Sequence, residues 1–207
     1  MKINVAAAVV KTYVATKNAG KLAEMRAIFA GSVLELETYA DYAAVVEDAG
    51  DYVGNALLKA RGLAGALSAA HVAGAVLADD SGLEVAALDG RPGVYSARYA
   101  GAEASWELRR AQLLAELSGL PETQRDARFV SALVLILAGG DVLSAVGFVE
   151  GRIVEAARGS GGFGYDPVFL YPPRGCTFAE LSAADKNAVS HRRRAADALL
   201  AALRERA

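Results

Sequence analysis

Asp79 and Asp80 stand side by side in the stretch Ala78-Asp79-Asp80-Ser81-Gly82-Leu83-Glu84-Val85. The apolar run Ala75-Val76-Leu77-Ala78 before them reads as a short buried strand, so the two acids fall at its end. Carboxylates there are costly unless something positive meets them. A divalent metal, or a metal bound to a phosphate, would supply that charge. Asp, Ser and Gly are also turn formers, and a plain turn is the competing reading.

Two further sets could act with these acids. Thr16, Asn18 and Lys21 lie where a strand (residues 9–16) hands over, through the turn Lys17-Asn18-Ala19-Gly20, to a helix (residues 21–30). Backbone N–H groups and the helix dipole favour an anion at such a junction. It is not a P-loop, because Ala15 and Leu22 replace the glycine and the magnesium-holding hydroxyl. An ordinary capped helix with a solvent-facing lysine fits the segment equally. Glu47, Asp48 and Asp51 form an acidic loop before an amphipathic helix whose stripe is Val53, Ala56, Leu57, Ala60, Leu63, Ala64 and Leu67. Asp51 is its expected N-cap. Lys59 and Arg61 are expected to lie off the stripe, in solvent.

Gly159-Ser160-Gly161-Gly162-Phe163-Gly164-Tyr165-Asp166-Pro167 contains GxGxxG, but Pro167 and a strand follow where a dinucleotide site requires a helix. Phe163 between glycines could stack on a base, or the segment is a glycine-rich hairpin with core aromatics. Near the C-terminal end come Lys186, His191 and Arg192. On one continuous helix Lys186 would lie about 140° from His191 and about 120° from Arg192. A break at Ser190, a good N-cap, would let all three turn towards one cleft. Arg91 and Arg98 lie in an irregular loop (residues 88–99) and could counter the acids or hold a phosphate.

The remaining elements must carry these groups. A strand is expected at residues 33–38. A helix capped by Ser105 carries Trp106, Leu113, Leu114 and Leu117 and ends at Gly119 and Pro121. Strands are expected at residues 129–137, 141–147 and 148–156, joined by turns at Gly139-Gly140 and Gly151. Ser182 with Asp185 resembles a capping box. The 207 residues suit one domain, 1–207, possessing one or two lobes. A net charge of −2 argues against a nucleic-acid partner. A single cysteine, Cys176, fits a reducing cytoplasm, and no apolar run reaches membrane-spanning length. The apolar start, Met1 to Val10, reads as a leader into the first strand rather than a signal peptide.

Together these blocks resemble the inosine triphosphate pyrophosphatase family. The matching stretches are Thr16-Lys17-Asn18-Ala19-Gly20-Lys21, Asn55-Ala56-Leu57-Leu58-Lys59-Ala60, Ala78 to Leu83, Pro92 to Tyr99, Gly161 to Pro167 and Lys186 to Arg192. The resemblance implies an α/β fold with an elongated central mixed sheet flanked by helices, two lobes with a cleft between them, and a homodimer. It implies that Thr16, Asn18 and Lys21, within the block that includes Lys17, Ala19 and Gly20, hold the phosphate tail. It makes Asp80 the catalytic base and a metal ligand, Glu47 a second ligand, and Ser81 a substrate contact. Phe163, Gly164, Tyr165 and Asp166 would form the nucleoside pocket, and Lys186, His191 and Arg192 would close over base and phosphates. Two positions depart from the family pattern: Gly54 stands where Glu is usual, and Lys17 where a small residue is common.

The implied reaction is hydrolysis of ITP, dITP or XTP to the monophosphate and pyrophosphate. Glu47 and Asp80 are hard oxygen donors suited to Mg²⁺, and Lys21 and Lys186 supply positive charge. Arginine carries only donors, so Arg192 is expected to pair with a 6-oxo purine and to reject adenine. A Maf-type pyrophosphatase acting on pyrimidine or modified nucleotides is one rival, and the Ser190-His191-Arg192 block argues against it. A nucleotide sensor without turnover is the other, and the paired acids argue against that.

Overall fold

The structure, a computed structural model, describes residues 9–206. The expected leader therefore lies outside the described residues as far as Ala8. The strands are β1 (Val10–Val14), β2 (Leu34–Glu37), β3 (Ala75–Val85), β4 (Pro92–Gly93), β5 (Asp126–Ile136), β6 (Val142–Ile153), β7 (Phe169–Tyr171) and β8 (Cys176–Thr177). They form an open sheet in the order β2-β1-β3-β5-β6-β7-β8, with β4 paired to β3. The sheet is mixed. β1 runs parallel to β2 and β3, whereas β3/β4, β6/β7 and β7/β8 are antiparallel. Helices α1 (Ala19–Phe29), α2 (Tyr52–Ala69), α3 (Trp106–Glu116), α4 (Ala183–Val189) and α5 (His191–Glu205) complete the α/β fold.

The chain divides into two compact units. The first holds the described residues up to Asp80, Ser131–Gly147 and the chain from Arg192 onward; the second holds Ser81–Val130 and Phe148–His191. Strand alternation gives the first unit two cores. Ala75 and Leu77 of β3 point to one face, with Met25, Ile28 and Phe29 of α1 and Ala195, Ala196 and Leu199 of α5. Val76 and Ala78 point to the other, with Ala56, Ala60, Leu63 and Leu67 of α2. The second unit packs Leu83, Val85, Leu113, Leu117, Phe129, Val149, Phe169 and Phe178 together.

Local chemistry sets the helix starts. Asn18, Asp51, Ser105 and Ser182 each cap a helix by accepting a backbone N–H with a side-chain oxygen. The last two helices do break at Ser190, which has extended backbone angles between α4 and α5.

Three expectations are corrected. The acids do not end a strand or sit in a turn, because β3 runs on through Asp79 and Asp80 to Val85. Strands 141–147 and 148–156 are one strand, β6, with no turn at Gly151. A Cβ at Gly151 would fall 2.3 Å from the Leu170 carbonyl oxygen and 2.5 Å from the Phe169 ring, so this glycine admits β7 rather than turning the chain. Lys59 is not solvated. It is 8% exposed, on the same α2 face as Ala56 and Leu63.

Candidate active site

The period of β3 sorts its two adjacent aspartates. Asp79 continues the Ala75 and Leu77 face towards α1 and α5, and Asp80 continues the Val76 and Ala78 face towards α2. Each carboxylate therefore meets different helices.

Asp79 is fully buried between cations. Its Oδ2 lies 2.8 Å from Lys21 Nζ and 3.4 Å from Arg192 Nε, and its Oδ1 accepts from the Ser131 hydroxyl at 2.6 Å. Arg192 Nη1 also pairs with Glu24 at 2.7 Å. Burial opposes the Asp79 charge, but Lys21, Arg192 and the hydrogen bonds outweigh it and hold the carboxyl far below the ordinary range. Burial pushes the Lys21 ammonium below the usual lysine value, despite Asp79.

Asp80 shares a cation with Glu47. Lys59 Nζ is 2.7 Å from Asp80 Oδ1 and 3.0 Å from Glu47 Oε2. Asn55 Nδ2 donates to Asp80 Oδ2 at 3.3 Å, while Asn55 Oδ1 accepts from the Ala49 N–H at 3.0 Å. One asparagine on α2 thus ties the Glu47-bearing loop to the Asp80 carboxylate. Burial raises the Asp80 pKa above its ordinary value, against the pull of Lys59 and Lys21. Burial acts on Glu47 too, yet Lys59 prevails there and lowers its pKa. Lys59 itself is raised, since Asp80 and Glu47 overcome the cost of burying it. The Gly54 departure belongs to this corner. A Cβ at Gly54 would come 2.5 Å from the Ala49 methyl, so the loop lies closer to α2 than any side chain at position 54 would allow.

Thr16, Lys17 and the cap Asn18 lead into α1, which starts at Ala19 rather than at Lys21, so Ala19 and Gly20 open the helix instead of turning the chain. Asn18 Oδ1 accepts from the Lys21 N–H at 3.0 Å, and Thr16 Oγ1 accepts from the Asn18 N–H at 3.1 Å. Lys17, Asn18 and Ala19 are exposed.

In the second unit the glycine-rich segment is a turn followed by a short 3₁₀ helix at Asp166–Val168. Asp166 is buried, accepts from the Phe163 N–H at 2.8 Å through Oδ2 and pairs with Lys186 through the same oxygen. Lys186 Nζ also lies 4.7 Å from the centroid of the half-buried Phe163 ring. A Cβ at Gly162 would fall 2.0 Å from Asp166 Oδ2, and Gly162 has φ +66°, so glycine is required there on both counts. Tyr165 is core: its ring meets Trp106 edge-on, and its hydroxyl donates to the Ser96 carbonyl at 3.1 Å. His191 is buried and stacks on Phe129 at 4.8 Å. Ser81 is half-buried on β3.

Within the first unit, then, Lys21 and Arg192 meet at Asp79, and Glu47 meets Asp80. Within the second, Phe163, Asp166 and Lys186 meet. Sequence reasoning missed Lys59, Asn55, Glu24 and Ser131. For Lys59 a signal was present: it is three residues from Ala56 and four from Leu63, in phase with the buried stripe. The Asp51 cap, by contrast, is as expected, with Asp51 Oδ1 accepting from the Gly54 N–H at 2.7 Å.

The sequence model of the Ham1 family matches residues 12–202. The chain belongs to the Ham1 family. Among its Ham1-type relatives, the dITP/XTP pyrophosphatase of Geobacter sulfurreducens is 48% identical over 186 residues, spanning 88% of this chain and 90% of the relative. That of Thermus thermophilus is 45% identical over 201 residues, spanning 94% and 92%. Among solved structures, the Ham1 protein of Staphylococcus aureus matches with a TM-score of 0.81 at 36% identity, covering 95% of this chain and all of that one (100%). A nucleoside-triphosphatase or dITP/XTP pyrophosphatase from Mycobacterium abscessus matches with a TM-score of 0.69 at 41% identity, covering 92% and 98%. The Ham1 match begins in β1 and ends in α5, so the acids of β3, their cations and the Phe163 segment all lie within it.

Proposed function

We propose that this Ham1-family chain hydrolyses dITP, ITP and XTP to the nucleoside monophosphate and pyrophosphate. The observation that carries the reading is Asp80, a buried carboxylate that shares the Lys59 ammonium with Glu47 and accepts from Asn55. The curated relatives' names give the substrate class.

Asp80 is the general base. Its carboxylate can orient a water and accept its proton, while Lys59 and Asn55 hold it in place. The water oxygen bonds to the α-phosphorus, its proton passes to Asp80, and the bond between the α-phosphorus and the bridging oxygen breaks to release pyrophosphate. Magnesium fits the donor set by charge: Glu47 and Asp80 share one ammonium, which leaves one negative charge over. Glu47 and Asp80 would hold the ion, which would supply charge neutralisation on phosphate oxygens.

The phosphate tail is assigned to Thr16, Asn18 and the N–H groups opening α1, with Lys21 behind them. Lys17, Ala19 and Gly20 complete that approach, and Ser81 contacts substrate beside the base. Arg192 belongs with the phosphate side, because its partners are the Lys21-bound Asp79 and Glu24. The nucleoside is assigned to Phe163, Gly164, Tyr165 and Asp166, with Lys186 and His191. Phe163 offers a ring face for the base, and Asp166 with Lys186 offers an acceptor and a donor. The working form is a cytoplasmic homodimer.

The deciding experiment is a panel of ITP, XTP, dITP, ATP, GTP, UTP and dTTP with Mg²⁺, followed by phosphorus NMR of the quenched reactions. Selective turnover of ITP, dITP and XTP with intact pyrophosphate is the expected result. Stepwise release of orthophosphate, or binding without turnover, refutes the reading.

A further inference from the structure

Phe163 stands between two glycines with left-handed backbone, Gly162 at φ +66° and Gly164 at φ +64°. Such a segment is free to move unless something fixes it. On the Gly162 side, Asp166 binds the Phe163 N–H. On the Gly164 side, the fixing groups come from α3. Arg110 Nη1 donates to the Gly164 carbonyl at 2.8 Å, a charged donor on a peptide oxygen in a half-buried setting. The Trp106 ring lies 3.7 Å from where a Cβ on Gly164 would be, and meets the Tyr165 ring edge-on with centroids 5.4 Å apart. Trp106 is itself held by the buried Arg109, whose guanidinium lies 4.9 Å over the ring and donates to the Gly101 and Ala102 carbonyls.

We infer that Trp106 and Arg110 are positioning residues for nucleoside binding: they clamp the Gly164 peptide and so fix the Phe163 ring in its binding orientation. The inference rests on the reading that Phe163 receives the base. Without the clamp, only a fraction of molecules would hold the segment in its competent form. Apparent affinity falls by that fraction, while chemistry at Asp80 is untouched. If the competent fraction drops to about a tenth, KM for ITP rises about tenfold with kcat unchanged.

The test compares Arg110→Met, which keeps the aliphatic stem and loses the donors, with Arg110→Lys and Trp106→Phe. For each, kcat and KM are measured with ITP, along with the inhibition constant of tripolyphosphate, which has no base. The expected result for Arg110→Met is a KM raised about tenfold, kcat within about twofold, and an unchanged tripolyphosphate constant. Arg110→Lys should recover part of the loss, and Trp106→Phe should raise KM in the same selective way. A wild-type KM in Arg110→Met overturns the inference. So does a parallel rise for ITP and tripolyphosphate, which would mark a general structural effect. Phe163→Ala separates the two levels of argument. If it raises KM for ITP while Arg110→Met does not, the clamp alone is refuted. If it leaves KM unchanged, the nucleoside reading falls and takes the clamp with it.

Discussion

Replacing each of the paired aspartates of β3 by asparagine should move stability in different directions. Asp79 has no exposed side-chain surface and is bound by Lys21 at 2.8 Å, Ser131 at 2.6 Å and Arg192 at 3.4 Å. Removing its charge leaves the half-buried Lys21 without that carboxylate, while Arg192 keeps Glu24. Breaking a buried charge set from one side costs about 3–5 kcal/mol. For a chain of this size each kcal/mol lowers Tm by about 2–4 °C, so Asp79→Asn should lower Tm by roughly 6–20 °C. Asp80 is the opposite case. Its pKa is raised, so the folded protein disfavours the charge, and Lys59 keeps Glu47 when that charge goes. Asp80→Asn should change stability by no more than about 1 kcal/mol, or raise it, while kcat falls to less than about a tenth, a barrier increase above ~1.4 kcal/mol. The assay is thermal and urea unfolding at pH 7 without nucleotide or divalent ion, paired with ITP turnover in Mg²⁺. An equal loss of stability in both variants, or Asp79→Asn within about 1 kcal/mol of wild type, would refute the division of labour between the acids.

Three further outcomes follow from the same geometry. The Asp79 pKa is depressed from 3.8, so its contribution to stability is complete above that value and is lost as pH falls further towards the folded pKa. Urea titrations should show a constant gap between wild type and Asp79→Asn from neutral pH down to about 5, closing only in stronger acid. Gly162→Ala should raise KM for ITP and cost about 1–3 kcal/mol in urea unfolding, because the methyl would strike Asp166 in a left-handed backbone; a wild-type KM would free Asp166 from the nucleoside role. Arg192→Ala should lower kcat/KM for ITP and ATP in parallel, as its acidic partners imply; a selective loss on ITP would instead restore base reading to Arg192.

Three helix starts were legible because their signals are local: Asp51, Ser105 and Ser182 act within three residues of themselves, whereas α1 begins at Ala19 behind an Asn18 cap, inside the segment expected to be a turn. The break at Ser190 was legible for the same reason, since serine is a good N-cap and the phases of Lys186, His191 and Arg192 on one helix gave a motive for it. The course of β3 was not legible. Two acids and a glycine suggest a turn, and the groups that make a strand tolerable there come from far along the chain: Lys21, Lys59, Ser131 and Arg192. Gly151 misled for a related reason, since the contact that demands glycine is with β7. Lys59 misled by its type, a charge within an apolar stripe, although its spacing was correct.

The alternation along β3 makes the surroundings of each aspartate a matter of parity. Asp79 and Asp80 have Cα atoms about 3.8 Å apart, yet their proton affinities are driven in opposite directions because odd positions address α1 and α5 and even positions address α2. Moving β3 by one residue relative to β1 would exchange the two addresses without changing the composition of either acid's neighbourhood in sequence. The pairing of Thr12 with Ala75 and Val14 with Leu77 therefore acts as a reading frame for the two carboxylates. Length changes just before Ala75 are tolerable only if the preceding loop absorbs them whole. A frame slip there would leave an intact pair of aspartates, each answering to the other's cations.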